Sequence, residues 1–176
     1  MTQIVRPSVK LGGAFQLTDH NGRTVTDRTF LGSCPLIFFG FTHCKVVCPE
    51  NLGKLSRALG LMGPVAEQLQ PLYVSVDPER DTPQVMRAFL QSRFPRFLGL
   101  TGDRAQVDAI KAAYKVYAAR EAADADGAYD VPHTAMTFLM GEDGGYLTHF
   151  SDVATAEDIA ARVMQILSTR GASSPA

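Results

Sequence analysis

The 176-residue chain has the pattern of an α/β sandwich around a mixed sheet. Three features carry that reading. Two nearly continuous apolar runs, PLIFFGFT (35–42) and PLYVSV (71–76), have the character of strands covered on both faces. Each is followed by an amphipathic stretch with apolar residues three and four apart. Near the C-terminus, TAMTFLM (134–140) and YLTHF (146–150) flank a turn at 141–145 and form a hairpin ahead of a last amphipathic segment.

In chain order, residues 1–10 read as a flexible tail and GASSPA (171–176) as a frayed end, leaving 11–170 as one domain. AFQLTDHNGRTVT holds two short alternating runs around Asp19-His20-Asn21-Gly22, where Asn-Gly signals a hairpin. After the strand at 35–42, Leu52, Leu55 and Leu59 place a helix over about 49–61. Asp77-Pro78 ends the strand at 71–76. Thr82-Pro83 then opens a helix, with Asp81 or Thr82 as its cap and Val85, Met86, Phe89 and Leu90 on its apolar face. FLGL (97–100) is a short strand. A helix over 103–117 carries Val107, Ile110 and Tyr114 in register, and 120–130 is an exposed loop. The last helix spans about 155–168 through Ile159, Val163 and Ile166.

Composition narrows the function. Hydrophobic residues make up 45% and charged residues 20%, an ordinary globular balance that excludes a disordered or collagen-like chain. Three Cys exclude a disulfide-dense miniprotein. With 17 basic and 18 acidic residues the net charge is -1, so the basic excess used for phosphate contacts is missing and nucleic acid is not an expected partner. PLIFFGF, the longest apolar run, falls well short of the ~20 residues that cross a bilayer. MTQIVRPSVK lacks a basic-then-apolar export signal. The chain is therefore either cytosolic or cut from a longer, anchored protein.

Cys44 and Cys48 stand in FGFTHCKVVCPEN, where a buried strand meets a helix. Four residues apart on a helix, both sulfurs would share one face, able to form a disulfide or bind one metal. A helix N-terminus would also lower a thiol's pKa. The plain alternative is two structural cysteines that pack. His133, in YDVPHTAMTF, opens a buried strand beside Pro132, which resembles the proline abutting the active site of thioredoxin-like folds. His20 falls in a turn, His149 on a surface-facing strand position, and His43 could tune the site without binding. Met136 is a soft donor but reads as core, and Cys34 as structural. Asp77, Glu79 and Asp81 of DPERDTP could form a polar rim or second metal site; a turn with a helix cap is the simpler account.

GGAFQLTDHNGRTVTD, FFGFTHCKVVCPENL, VSVDPERDTP, GLTGD, VPHT and MGEDGGYLTHF, in this order, resemble the SCO/SenC family of copper chaperones over about residues 11–170. The resemblance implies a thioredoxin-like fold with an N-terminal β-hairpin extension and a central mixed sheet flanked by helices. It implies copper, as Cu(I) and Cu(II), held by Cys44, Cys48 and His133. Two thiolates and an imidazole form a soft set suited to that metal, whereas structural zinc wants a fourth ligand. Two departures stand out. The family usually has Pro-Asp between the cysteines, where this chain has Lys45-Val46-Val47, and an Asp before the ligand His, where this chain has Pro132.

The resemblance further implies a monomer that helps assemble the binuclear copper site of cytochrome c oxidase, with that site's subunit and other copper carriers as partners. It implies a setting outside the cytoplasm, the bacterial periplasm rather than the mitochondrial intermembrane space, and a single N-terminal membrane anchor upstream of Met1. A different class of function is a thiol–disulfide oxidoreductase that keeps the oxidase's copper-site cysteines reduced through Cys44 and Cys48. A peroxidase of the peroxiredoxin type needs Thr three and Pro seven residues before its Cys. Counting back from Cys48 meets Lys45 and Phe41, and from Cys44 meets Phe41 and Ile37, so peroxidase activity is not expected.

Overall fold

A computed structural model describes residues 10–171, so the tails expected at 1–10 and 171–176 lie almost wholly outside the described residues. Seven strands form one mixed sheet: β1 (Gln16–Asp19), β2 (Thr24–Thr26), β3 (Cys34–Gly40), β4 (Leu69–Ser75), β5 (Leu98–Thr101), β6 (Met136–Met140) and β7 (Tyr146–Ser151). Their order is β2-β1-β5-β4-β3-β6-β7. Strands β3, β4 and β5 run parallel, while β1 and β6 join antiparallel on either side. The helices are α1 (Val47–Met62), α2 (Pro83–Arg93), α3 (Arg104–Tyr114) and α4 (Ala156–Gly171). Helix α1 packs on α4, α2 against β5 and α3 against β1. Among the described residues no helix is long and apolar enough to cross a membrane.

The apolar runs account for this order. All seven residues of β3 are buried, as its lack of alternation requires for a strand covered on both faces. Phe38, Phe39, Leu36, Ile37, Leu72 and Tyr73 are sealed from water, each contributing roughly 1.5–3 kcal/mol of apolar burial. At the far end of the sheet, the hairpin expected from Asn21-Gly22 forms. Asp19 accepts from the Asn21 and Arg23 backbone N–H groups at 2.8 and 3.0 Å, and Gly22 takes the φ of 83° that the turn demands.

Of the boundaries that move from their expected places, those of β3 and α3 bear on function. Strand β3 stops at Gly40 rather than 42, because Thr42 turns out of the sheet to bond Asp81. Helix α3 ends at Tyr114 rather than 117: Lys115 adopts a left-handed φ of 56°, and the chain swings away to pair with the segment that holds His133. That pairing is a single bridge, Ala118 to His133. It is flanked by hydrogen bonds from Ala119 N–H to the Pro132 carbonyl at 3.1 Å and from Thr134 N–H to the Tyr117 carbonyl at 2.9 Å.

Candidate metal centre

Beyond Gly40 the chain makes a tight turn, closed by Cys44 N–H donating to the Phe41 carbonyl at 3.2 Å. Cys44 is half-buried in this turn, ahead of α1, and Cys48 lies fully buried in the first turn of the helix. The two are joined by the Cys48 N–H, which donates to Cys44 Sγ at 3.3 Å. Both thiols are free. The pairing thus comes from a turn folded onto a helix start, not from two positions on one helical face. Cys44 Sγ accepts one of the N–H groups that the opening turn of a helix leaves unpaired, a service that Val46, the residue before the helix, does not perform.

The electrostatics also differ from the sequence expectation. A helix N-terminus favours a thiolate, but burial dominates at Cys48 and pushes its thiol up to about 12. The Phe41 backbone and the Tyr73 hydroxyl pull in the opposite direction without overcoming it. Cys48 is therefore a neutral thiol at pH 7, and a metal must displace its proton.

His133 sits half-buried across from this turn, its ring edge-on to Phe41 with centroids 5.9 Å apart. Its Nδ1 lies 2.9 Å from the Val131 carbonyl and its Nε2 3.0 Å from the Phe39 carbonyl. A neutral imidazole has one N–H and cannot donate to both. For His133 to ligate a metal, one of these contacts must open. Among the described residues no three His, Cys, Asp or Glu side chains are gathered closely enough to hold a metal ion. The structure brings Cys44 and Cys48 together and sets His133 nearby, with its ring against the protein backbone. Phe41 links the two parts: its carbonyl accepts from Cys44 N–H, its backbone acts to lower the Cys48 pKa, and its ring packs on His133. As a donor set, two sulfurs and an imidazole suit a soft ion.

Of the other candidates, only His43 adjoins the centre. His20 Nδ1 accepts from Gly99 N–H at 3.1 Å in the hairpin turn, and His149 stacks on Tyr146 at the surface. Half-exposed His43 contacts Thr42 Oγ1 at 3.1 Å and lies 3.9 Å from Asp81. Cys34 is buried at the start of β3, and Met136 packs against the core.

The DPERDTP segment does more than turn and cap. Thr82 does cap α2, accepting from Val85 N–H at 3.2 Å. Asp81, wholly buried, also accepts from Ser75 Oγ at 2.7 Å and from the Thr42 hydroxyl at 2.6 Å. Burial raises its pKa, while those hydroxyls and the Thr42 backbone hold the rise back. Asp77 binds the Arg80 guanidinium and accepts from the Tyr129 hydroxyl at 2.9 Å. The Tyr129 ring lies between two guanidinium groups, Arg80 at 3.5 Å and Arg120 at 3.9 Å from its centroid. Glu79 pairs with Arg104 and Arg120. These contacts fix the cysteine turn on one side and the loop leading to His133 on the other. Between them opens a groove of about 550 Å³, lined by His43, Cys44, Lys45, Arg80, Tyr129 and Asp130. A separate cavity of about 610 Å³ near Gly12, Tyr114 and Met140 has none of the three candidate ligands in its walls.

Comparison with known proteins agrees with this architecture. The SCO1/SenC family model matches residues 5–168. The human mitochondrial SCO1 homolog is 41% identical over 155 residues, covering 87% of this chain and 52% of that protein. The chain thus spans about half the length of that relative. The structure of Bradyrhizobium japonicum ScoI with copper bound aligns at a TM-score of 0.81 and 43% identity, covering 89% of this chain and 99% of that one. Yeast Sco1 with copper bound aligns at 0.82 and 31% identity, covering 95% and 92%. The fold is thioredoxin-like, as the sequence resemblance implied.

Proposed function

Because the chain belongs to the SCO1/SenC family, we propose that it is a copper chaperone that carries the metal on Cys44, Cys48 and His133 and delivers it to the copper site of cytochrome c oxidase. The observation that carries the reading is the joined pair of free thiols at the end of the central strand. The relatives solved with copper bound support it. Its partners are the subunit bearing the oxidase's copper site and other copper carriers. It works as a monomer on the periplasmic side of a bacterial membrane, held there by an N-terminal anchor.

On this reading each ligand has a distinct part. Cys44, half-buried beside the groove, is the sulfur that an incoming donor meets. Cys48 follows, losing its proton as the metal–sulfur bond forms. His133 completes the set by turning one ring nitrogen away from its carbonyl, while the other can keep its bond and hold the ring's orientation. Cu(I) suits the two sulfurs alone, and the imidazole adds the harder donor that Cu(II) requires. Release runs through exchange: the partner's ligands replace these one at a time, so the ion is never free. Thiol–disulfide exchange does not require an imidazole, whereas copper binding uses one, and the copper-bound relatives favour the metal reading.

Copper titration of the reduced protein, followed spectroscopically, tests this. About one copper per chain is expected, with tight binding abolished in Cys44→Ser and Cys48→Ser. His133→Ala should weaken Cu(II) more than Cu(I). Full affinity in either single-Cys variant would overturn the assignment.

A further inference from the structure

Tyr73 lies in β4 directly across from Phe38 of β3. Its ring is held on both sides, by Phe38 at 6.0 Å and by Phe89 at 5.9 Å between centroids. A phenylalanine would fill this place equally well, so the hydroxyl is surplus to packing. It is sealed from water and finds no well-directed hydrogen-bond partner among the described residues, a costly arrangement for a buried polar group. What it does meet is the site. A Cβ added to Gly40 would lie 2.6 Å from the Tyr73 hydroxyl and 2.8 Å from Cys48 Sγ, so both atoms converge on the space that this glycine leaves open.

We propose that Tyr73 is a positioning residue of the metal centre, whose hydroxyl donates a hydrogen bond to Cys48 once that sulfur is a copper-bound thiolate. The inference rests on the copper reading above. As the bond from sulfur to copper forms, the Cys48 proton leaves for solvent and a charged sulfur remains in an apolar interior. The Phe41 backbone offers one hydrogen bond to it, and the Tyr73 hydroxyl offers a second. A tyrosine hydroxyl carries its proton at neutral pH, and a thiolate sulfur has none to give, so the hydroxyl is the donor of the pair. A hydrogen bond to a metal-bound sulfur draws electron density from it, tuning affinity and redox potential.

The test is Tyr73→Phe beside the wild type. Metal-free Tyr73→Phe should melt at or above the wild-type temperature, since it loses an unsatisfied hydroxyl. Its Cu(I) affinity, measured by competition with bicinchoninate, should fall by roughly tenfold or more. The sulfur-to-Cu(II) charge-transfer band should move to lower energy. Phe89→Leu, which loosens the ring but keeps the hydroxyl, should lower the melting temperature and leave the band in place. Identical affinity and spectrum in Tyr73→Phe, or an equal band shift in Phe89→Leu, would make Tyr73 a packing residue and overturn the inference while leaving the copper reading intact. A wild type that takes up no copper would overturn both.

Discussion

Asp81 accepts hydrogen bonds from both the backbone N–H of Thr42, at 3.1 Å, and the Thr42 hydroxyl, at 2.6 Å, and so fixes the turn that presents Cys44. The carboxylate belongs to the segment after β4 and the threonine to the segment after β3. One buried side chain therefore ties together the ends of the two central strands.

Asp81→Ala leaves the Thr42 N–H and the Ser75 hydroxyl without their acceptor. A loss of about 2–4 kcal/mol is expected in urea unfolding at pH 7, together with faster alkylation of Cys44. An unchanged alkylation rate would show that the turn holds its shape without the carboxylate.

Asp19 gives a pH-dependent case at the other end of the molecule. Burial works to raise its pKa, but bonds from the Arg23 and Asn21 backbone and from the Arg23 side chain outweigh it, and the net shift is downward. A carboxyl with a lowered folded pKa adds stability above its unfolded value, near 3.8, and loses it as the pH falls through the folded value. Asp19→Ala should cost about 1–3 kcal/mol at pH 7, and the gap to wild type should shrink below about pH 4. Urea melts at pH 7 and pH 3 measure it, and a constant gap would contradict the assignment.

The Tyr129 clasp should control the segment bearing His133. Tyr129→Ala removes two guanidinium stacks, worth roughly 0.5–2 kcal/mol each, and the bond to Asp77. Amide exchange at Ala119 and Thr134, which hold the bridge around His133, should accelerate. Unaltered protection there would mean that the bridge stands without the clasp.

Gly40→Ala places a methyl group against the Tyr73 ring at 2.6 Å and Cys48 Sγ at 2.8 Å, with β3 buried and unable to shift freely. A loss of about 1–3 kcal/mol is expected from overpacking, read by thermal or urea unfolding. Wild-type stability would show that the strand end relaxes more than its burial suggests.

Much of this was legible in the residues. PLIFFGFT and PLYVSV gave the parallel centre of the sheet, because a strand covered on both faces shows an unbroken apolar run. The two cysteines were found from their place at a strand–helix junction, but helical spacing misjudged how they meet, since Cys44 precedes the helix. The premature end of α3 was hidden because periodicity does not reveal that Lys115 will turn left-handed. The tie from Asp81 to Thr42 and the parts played by Tyr129 and Tyr73 were hidden for a shared reason. Their partners are distant in sequence (Thr42 is 39 residues from Asp81, and Asp77 is 52 from Tyr129), and local pattern carries no trace of such pairs.

Phe41 is almost wholly enclosed, with its main chain toward the sulfurs, its ring toward the imidazole, and the Arg80 guanidinium 5.7 Å from its ring centroid. A side chain packed that closely passes displacement on rather than absorbing it. The cysteine turn, the imidazole and the Arg80 wall of the groove thus share one rigid spacer, and a substitution that shrinks Phe41 would loosen all three together.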